Sequence, residues 1–191
     1  MDDITSFIAR VRDHYVEQFR AFADEQKRHC ETGASEVKLQ LSEQSELFQR
    51  LYCVDFLRNE NGQPRPVELL PDRFLKFDTL SGSFGAARLV IEHLRWDDVT
   101  IHHDLALLPP EAIANWFEQW FDPDDRRFDQ AAQLSGVIHS LLIQPGAISI
   151  DLGTAPPEAF WDILGVLERA RATSIRVSSS RADAGDQGTS V

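Results

Sequence analysis

The chain has 191 residues, 42% of them hydrophobic and 26% charged, enough for one domain with a sizeable core and too apolar for a disordered chain. Aspartate and glutamate number 31 against 19 lysines and arginines, a net charge of −12. That balance argues against a nucleic acid or an anionic membrane surface as partner, since both need basic side chains to displace counterions.

No apolar run approaches the length of about 20 residues needed to span a bilayer. The start, Met1-Asp2-Asp3-Ile4, is acidic and lacks the basic region and apolar run of a signal peptide. Of the two cysteines, Cys30 and Cys53 are too far apart for a metal finger, and Cys53 lies in an apolar run that suits a buried thiol. A cytoplasmic protein is the expectation.

Ile4, Ile8, Val11, Tyr15, Phe19 and Phe22 recur at spacings of three and four, which predicts a helix over about 3–29 with Asp3 as N-cap. The stripe fits a helix laid on a sheet. Part of it also fits a short heptad seam for a homodimer, interrupted by Gln18. Val37, Leu39 and Leu41 alternate with Lys38 and Gln40 as in a half-buried strand, and Tyr52, Val54 and Phe56 alternate with Cys53, Asp55 and Leu57. Residues 42–50 are ambiguous. Asn61-Gly62 is hairpin-turn chemistry. Further strands are expected near 67–70 and 73–77, and Ser81-Gly82-Ser83-Phe84-Gly85 reads as a loop.

Residues 87–95 and 99–104 suggest a second hairpin about Asp97-Asp98. A helix is expected over 110–121, entered through Pro109-Pro110 and closed by Asp122-Pro123. Val137, His139, Leu141 and Ile143 share one phase of a strand, and Pro145-Gly146 turns the chain into Ile148, Ile150 and Leu152. Thr154 is placed to cap a helix carrying Phe160, Ile163, Leu164 and Leu167, and Ile175 and Val177 form a strand after it. Strand, helix and strand with short connections imply a right-handed crossover and a parallel pair. The sum is a single α+β domain over 1–178: a mostly antiparallel sheet with a long N-terminal helix, a mid-chain helix and a C-terminal crossover. Residues 179–191 are small and polar and read as a disordered tail.

The charge is concentrated. Residues 96–130 hold nine acids against Arg126 and Arg127, together with Trp96, Trp116 and Trp120. Acids around large aromatics suit a surface that steers a basic partner and then anchors it. The expected contacts are Trp96, Asp97, Asp98, Trp120, Asp122, Asp124 and Asp125; the opposing reading buries the rings and leaves the acids as a solvated face. Asp122 does not open a calcium loop, because Arg127 and Gln133 stand where glycine and glutamate are required.

A two-residue loop at Asp97-Asp98 sets His93 opposite His102, with Asp104 on the same face: a His/His/Asp set suited to iron or zinc. A slip of one residue destroys that alignment. His103 faces away, and His139 belongs to another strand. Asp151, at a strand end before Gly153, is the remaining catalytic candidate. There is no nucleophile elbow, phosphate loop or dinucleotide fingerprint. The expected function is therefore an acidic protein-binding module of the inhibitor or immunity type that covers a basic site on its partner, with no cofactor. The alternatives are an enzyme that uses a divalent metal at His93, His102 and Asp104, and a homodimeric structural protein.

Overall fold

The computed structural model describes residues 4–30, 32–129 and 131–180. Helix α1 spans Ile4–His29, and its expected cap, Asp3, lies outside the described residues. Strands β1 (Gly33–Gln40), β2 (Leu51–Glu60) and β3 (Gln63–Val67) form one antiparallel sheet in that order. The segment before β2 ends in a 3-10 turn at Phe48–Arg50. A second sheet holds β4 (Leu80–Phe84), β5 (Ala87–Ile91), β6 (Val99–His103), β7 (Ser140–Gln144), β8 (Ala147–Asp151) and β9 (Ser174–Ser178). Helix α2 (Pro110–Phe121) follows β6, and α3 (Pro157–Arg169) joins β8 to β9. The fold is α+β with mostly antiparallel pairing, and among the described residues no helix is long and apolar enough to cross a membrane.

Turn chemistry explains the local hairpins. Glu60 pairs with Gln63 across Asn61 and Gly62, whose φ of 54° and 79° give the doubly left-handed turn that matches strand twist. Gln144 pairs with Ala147 across Pro145-Gly146, where proline presets φ and Gly146 takes φ 73°. The stretch expected as a loop at 81–85 is instead strand β4, paired with β5 from Leu80↔Ile91 to Phe84↔Ala87. Residues 68–79 form no strand beyond β3's end.

Long-range order departs from the expected topology. The second sheet runs β4-β5-β9-β6-β8-β7. The hairpin expected between β5 and β6 is absent, because β9 inserts between them, parallel to β5 and antiparallel to β6. The crossover through α3 therefore steps over β6, so β8 and β9 point the same way without touching.

One face of this sheet is apolar and buried, through Leu89, Ile91, Val99, Ile101, Ile148, Ile150, Ile175 and Val177. The alternate residues Arg88, Thr100, His102, Ser149 and Arg176 leave the other face polar and at least partly open. The α1 stripe is spent inside the chain: Phe7, Ile8, Val11, Tyr15, Val16 and Phe19 are all buried, so it offers no free coiled-coil seam. From α2 come Ile113, Trp116, Phe117, Trp120 and Phe121, and from α3 Phe160, Ile163, Leu164 and Leu167. Each such side chain contributes about 1.5–3 kcal/mol on burial. Trp116 secures the α2–α3 contact by donating from Nε1 to the Ala159 carbonyl at 2.9 Å.

The two sheets meet where the backbone N–H of Cys53 in β2 donates to the carbonyl of His139, just before β7, at 2.7 Å. That junction brings polar side chains together in the interior.

Candidate functional site

The acid-rich segment is largely held by its own contacts. Trp96 is 1% exposed and Trp120 is 7% exposed, so neither ring is presented to a partner. Trp96 packs beside Phe160, while Trp120 donates from Nε1 to Asp162 at 3.2 Å. Large rings such as these contribute more buried in the core than they would exposed on the surface. Asp97 pairs with Arg95 at 2.8 Å, with both side chains mostly buried, and Asp98 accepts from the Ser180 hydroxyl at 2.8 Å.

Asp122 closes α2 in a left-handed conformation and accepts the N–H groups of Arg126 and Arg127, each at 3.0 Å. Burial opposes its ionisation, but these amides, with Lys38 and Arg127 nearby, hold the carboxyl below its usual range. Asp124 pairs with Arg126 at 2.6 Å, and Asp125 pairs with Lys38. Glu111, Glu118, Asp124, Asp125 and Asp129 remain exposed along α2 and the loop after it. Two exposed apolar side chains flank them, Leu107 at 78% and Phe128 at 72%.

The expected His/His/Asp constellation is not assembled. With β9 between β5 and β6, His93 and His102 do not face each other. His102 neighbours Arg176, and both burial and that guanidinium push its pKa down. Asp104 is engaged by Thr173, accepting its backbone N–H at 2.9 Å and its hydroxyl.

A different cluster forms at the sheet junction. Glu36 lies on β1 at a left-handed φ of 53°, and the flanking register, Ser35↔Phe56 and Val37↔Val54, sets it across from Asp55 on β2. The His139 ring lies between their carboxylates: Nδ1 is 2.8 Å from Asp55 Oδ1, and Nε2 is 3.3 Å from Glu36 Oε1. Glu36 also accepts the Ser135 N–H at 2.6 Å and the Thr154 hydroxyl. Thr154 is thus drawn into the cluster and does not cap α3, whose N-cap is Pro156. Asp55 accepts the Leu69 N–H at 2.6 Å through its other oxygen.

Asp151 comes from the end of β8 and accepts the Gly153 N–H at 2.8 Å. Asp55, His139 and Asp151 each place a ligand atom within 4.8 Å of the others. Phe19 of α1 closes one side of the ring with an edge contact at 5.6 Å.

The electrostatics follow from burial. Desolvation disfavours a charged His139, but Cys53, Asp55, Glu36 and Asp151 outweigh it and hold its pKa well above the ordinary value. For Glu36, burial is opposed by His139, Ser135 and Thr154, and its pKa is lowered. Asp151 is pushed up to about 7 by burial, against the pull of His139 and with Asp55 adding to the rise. Glu68, beside Asp55, is also raised to about 7 by partial burial and by that neighbour. Cys53 is raised to about 12 by burial, which makes it a poor nucleophile.

Asp151 is the only residue of this cluster that the sequence singled out. His139 carried a legible signal, since it shares the apolar phase of its strand with Val137 and Leu141. Glu36 gave none, because its inward turn depends on a local left-handed backbone. No protein-family model, curated protein or solved structure matches this chain.

Proposed function

We propose that this protein binds another protein through the acidic surface along α2 and the loop that follows it. The partner presents a basic site, and the relationship is that of an inhibitor or immunity-type protein to its target. The observation that carries the reading is that Leu107 and Phe128, 78% and 72% exposed, lie in the segments before and after α2, in the same stretch of chain as the exposed Glu111, Glu118, Asp124, Asp125 and Asp129. An α-helix of this length extends about 18 Å. With its flanking loops it suits a standard interface of roughly 800 Å² per partner. The acids accelerate encounter and Phe128 supplies the desolvated anchor. Trp120 supports the surface from beneath, with Arg127 over its ring, and Asp122 shapes the loop that leads to Phe128.

The test is capture from a lysate with the full chain as bait, followed by affinity measurement on the purified pair. A basic partner recovered near one-to-one and released by salt is expected. Phe128→Ser should weaken binding at least about tenfold without changing the melting temperature. The double reversal Asp124→Lys with Asp129→Lys should slow association and flatten its salt dependence. Binding that survives both variants unchanged removes this surface from consideration.

A further inference from the structure

We propose that Asp55, His139 and Asp151 form a structural binding site for one divalent first-row transition metal ion, with Glu36 as the carboxylate that orients the histidine. The first ground is geometric. Three donor atoms, from β2, the segment before β7 and the end of β8, converge to within 4.8 Å of one another. Adjacent donors in an octahedral complex with bonds of about 2.1 Å stand about 3 Å apart, close to the 2.8 Å between His139 Nδ1 and Asp55 Oδ1.

The second ground is the direction of the hydrogen atoms. Glu36 Oε1 faces Nε2 of His139 in hydrogen-bond alignment, whereas Asp55 Oδ1 stands near Nδ1 without it, so an ion bound at Nδ1 leaves the ring proton on Nε2 for Glu36 to accept. With the ring neutral in that tautomer, Nδ1 points its lone pair at a carboxylate oxygen, and a cation at that position, either a second proton or a metal ion, relieves the contact. Both atoms are fully enclosed, and neither makes an aligned hydrogen bond with the described residues. A second proton on the ring answers Asp55 alone. A metal ion at the same place answers Asp55 and engages Asp151 as well.

The third ground is charge. Glu36, Asp55 and Asp151 surround a single imidazole at the junction of the two sheets. The nearby basic side chains are committed elsewhere. Arg12 donates to the carbonyls of Thr154 and Ala155, Arg95 pairs with Asp97, and Lys38 pairs with Asp122 and Asp125. A divalent cation offsets the surplus and ties the sheets together. One nitrogen with two carboxylate oxygens suits zinc or manganese better than calcium, which takes an all-oxygen shell.

The experiment uses the full chain, purified without an affinity tag and stripped with a chelator, then titrated with Zn²⁺ and separately with Mn²⁺ by calorimetry. One equivalent of at least one ion should bind, with release of a proton. At a hundredfold excess over Kd the melting temperature should rise by about 5–10 °C. Asp151→Asn should lose at least about tenfold in affinity and Glu36→Gln about ten- to a hundredfold.

The metal-free behaviour separates a ligand role from a packing role. Without metal, Asp151→Asn removes a carboxylate that burial penalises, so it should melt at or above the wild type; with metal, the order should reverse. Absence of any binding or thermal shift with either ion at millimolar concentration overturns the proposal. So does binding that Asp151→Asn and Glu36→Gln both leave at wild-type affinity, which assigns the ion to a surface site.

Discussion

His103 shows how a single side chain couples burial to pH. It follows Val99 and Ile101 on the buried face of β6, and neither ring nitrogen has a hydrogen-bond partner among the described residues. Burial pushes its pKa down, with Asp104 opposing and His102 adding to the fall. A histidine with a folded pKa below its unfolded value of about 6.5 contributes fully above that value and loses its contribution as pH falls through the folded pKa. His103→Leu removes both the titration and two unsatisfied polar atoms. It should raise unfolding free energy by about 1 kcal/mol at pH 7 and by more at pH 5, measured by urea denaturation. An unchanged acid slope in the variant assigns the slope to other groups. The sequence placed His102 and His103 on opposite faces, as alternation requires. The phase that His103 shares with Val99 and Ile101 was itself a legible sign of burial, as it was for His139 beside Val137 and Leu141.

At the scale of elements, legibility tracked the range of the interaction. The turns at Asn61-Gly62 and Pro145-Gly146 were readable because two residues determine them. The place of β9 was not, since Ile175 and Val177 pair across long stretches of chain with Leu89, Ile91, Ile101 and His103, and no local pattern distinguishes those partners. The buried cluster was hidden for the same reason. Its members lie in four separate segments, and Asp55 sits in a strand buried on both faces, where alternation carries no signal.

The turn from β8 into α3 holds this cluster in place and offers a direct test. Gly153 has φ 50°, and a Cβ there would stand 2.2 Å from His139 Cδ2. Gly153→Ala must either strain the backbone or displace the ring. The expected cost is about 2–4 kcal/mol in chemical denaturation, with the His139 environment altered in NMR spectra. A loss within 0.5 kcal/mol, roughly the range of a neutral surface substitution, shows that the ring moves aside without penalty and that the junction is loosely packed.

For the whole molecule, net charge and paired charge pull in opposite directions. The chain carries −12 overall, so its like charges repel in the folded state. Much of the attraction that offsets this repulsion is local and shielded from solvent, as in Arg95–Asp97, where both side chains are about nine-tenths buried. Raising sodium chloride from about 10 to about 100 mM shortens the screening length from about 30 to about 10 Å. Long-range repulsion then weakens more than enclosed pairs do. Stability should rise by about 1 kcal/mol, seen as about 2–4 °C in melting temperature. Association with a basic partner should slow over the same interval, because steering depends on the long-range field that the salt removes. These opposite signs separate the two uses of one charge distribution. A melting temperature that falls with salt makes exposed pairs such as Arg126–Asp124, with the half-open Lys38–Asp125 pair, the dominant electrostatic contribution. The acidic surface would then be held together by its own counter-charges, with less of its field left to reach a partner.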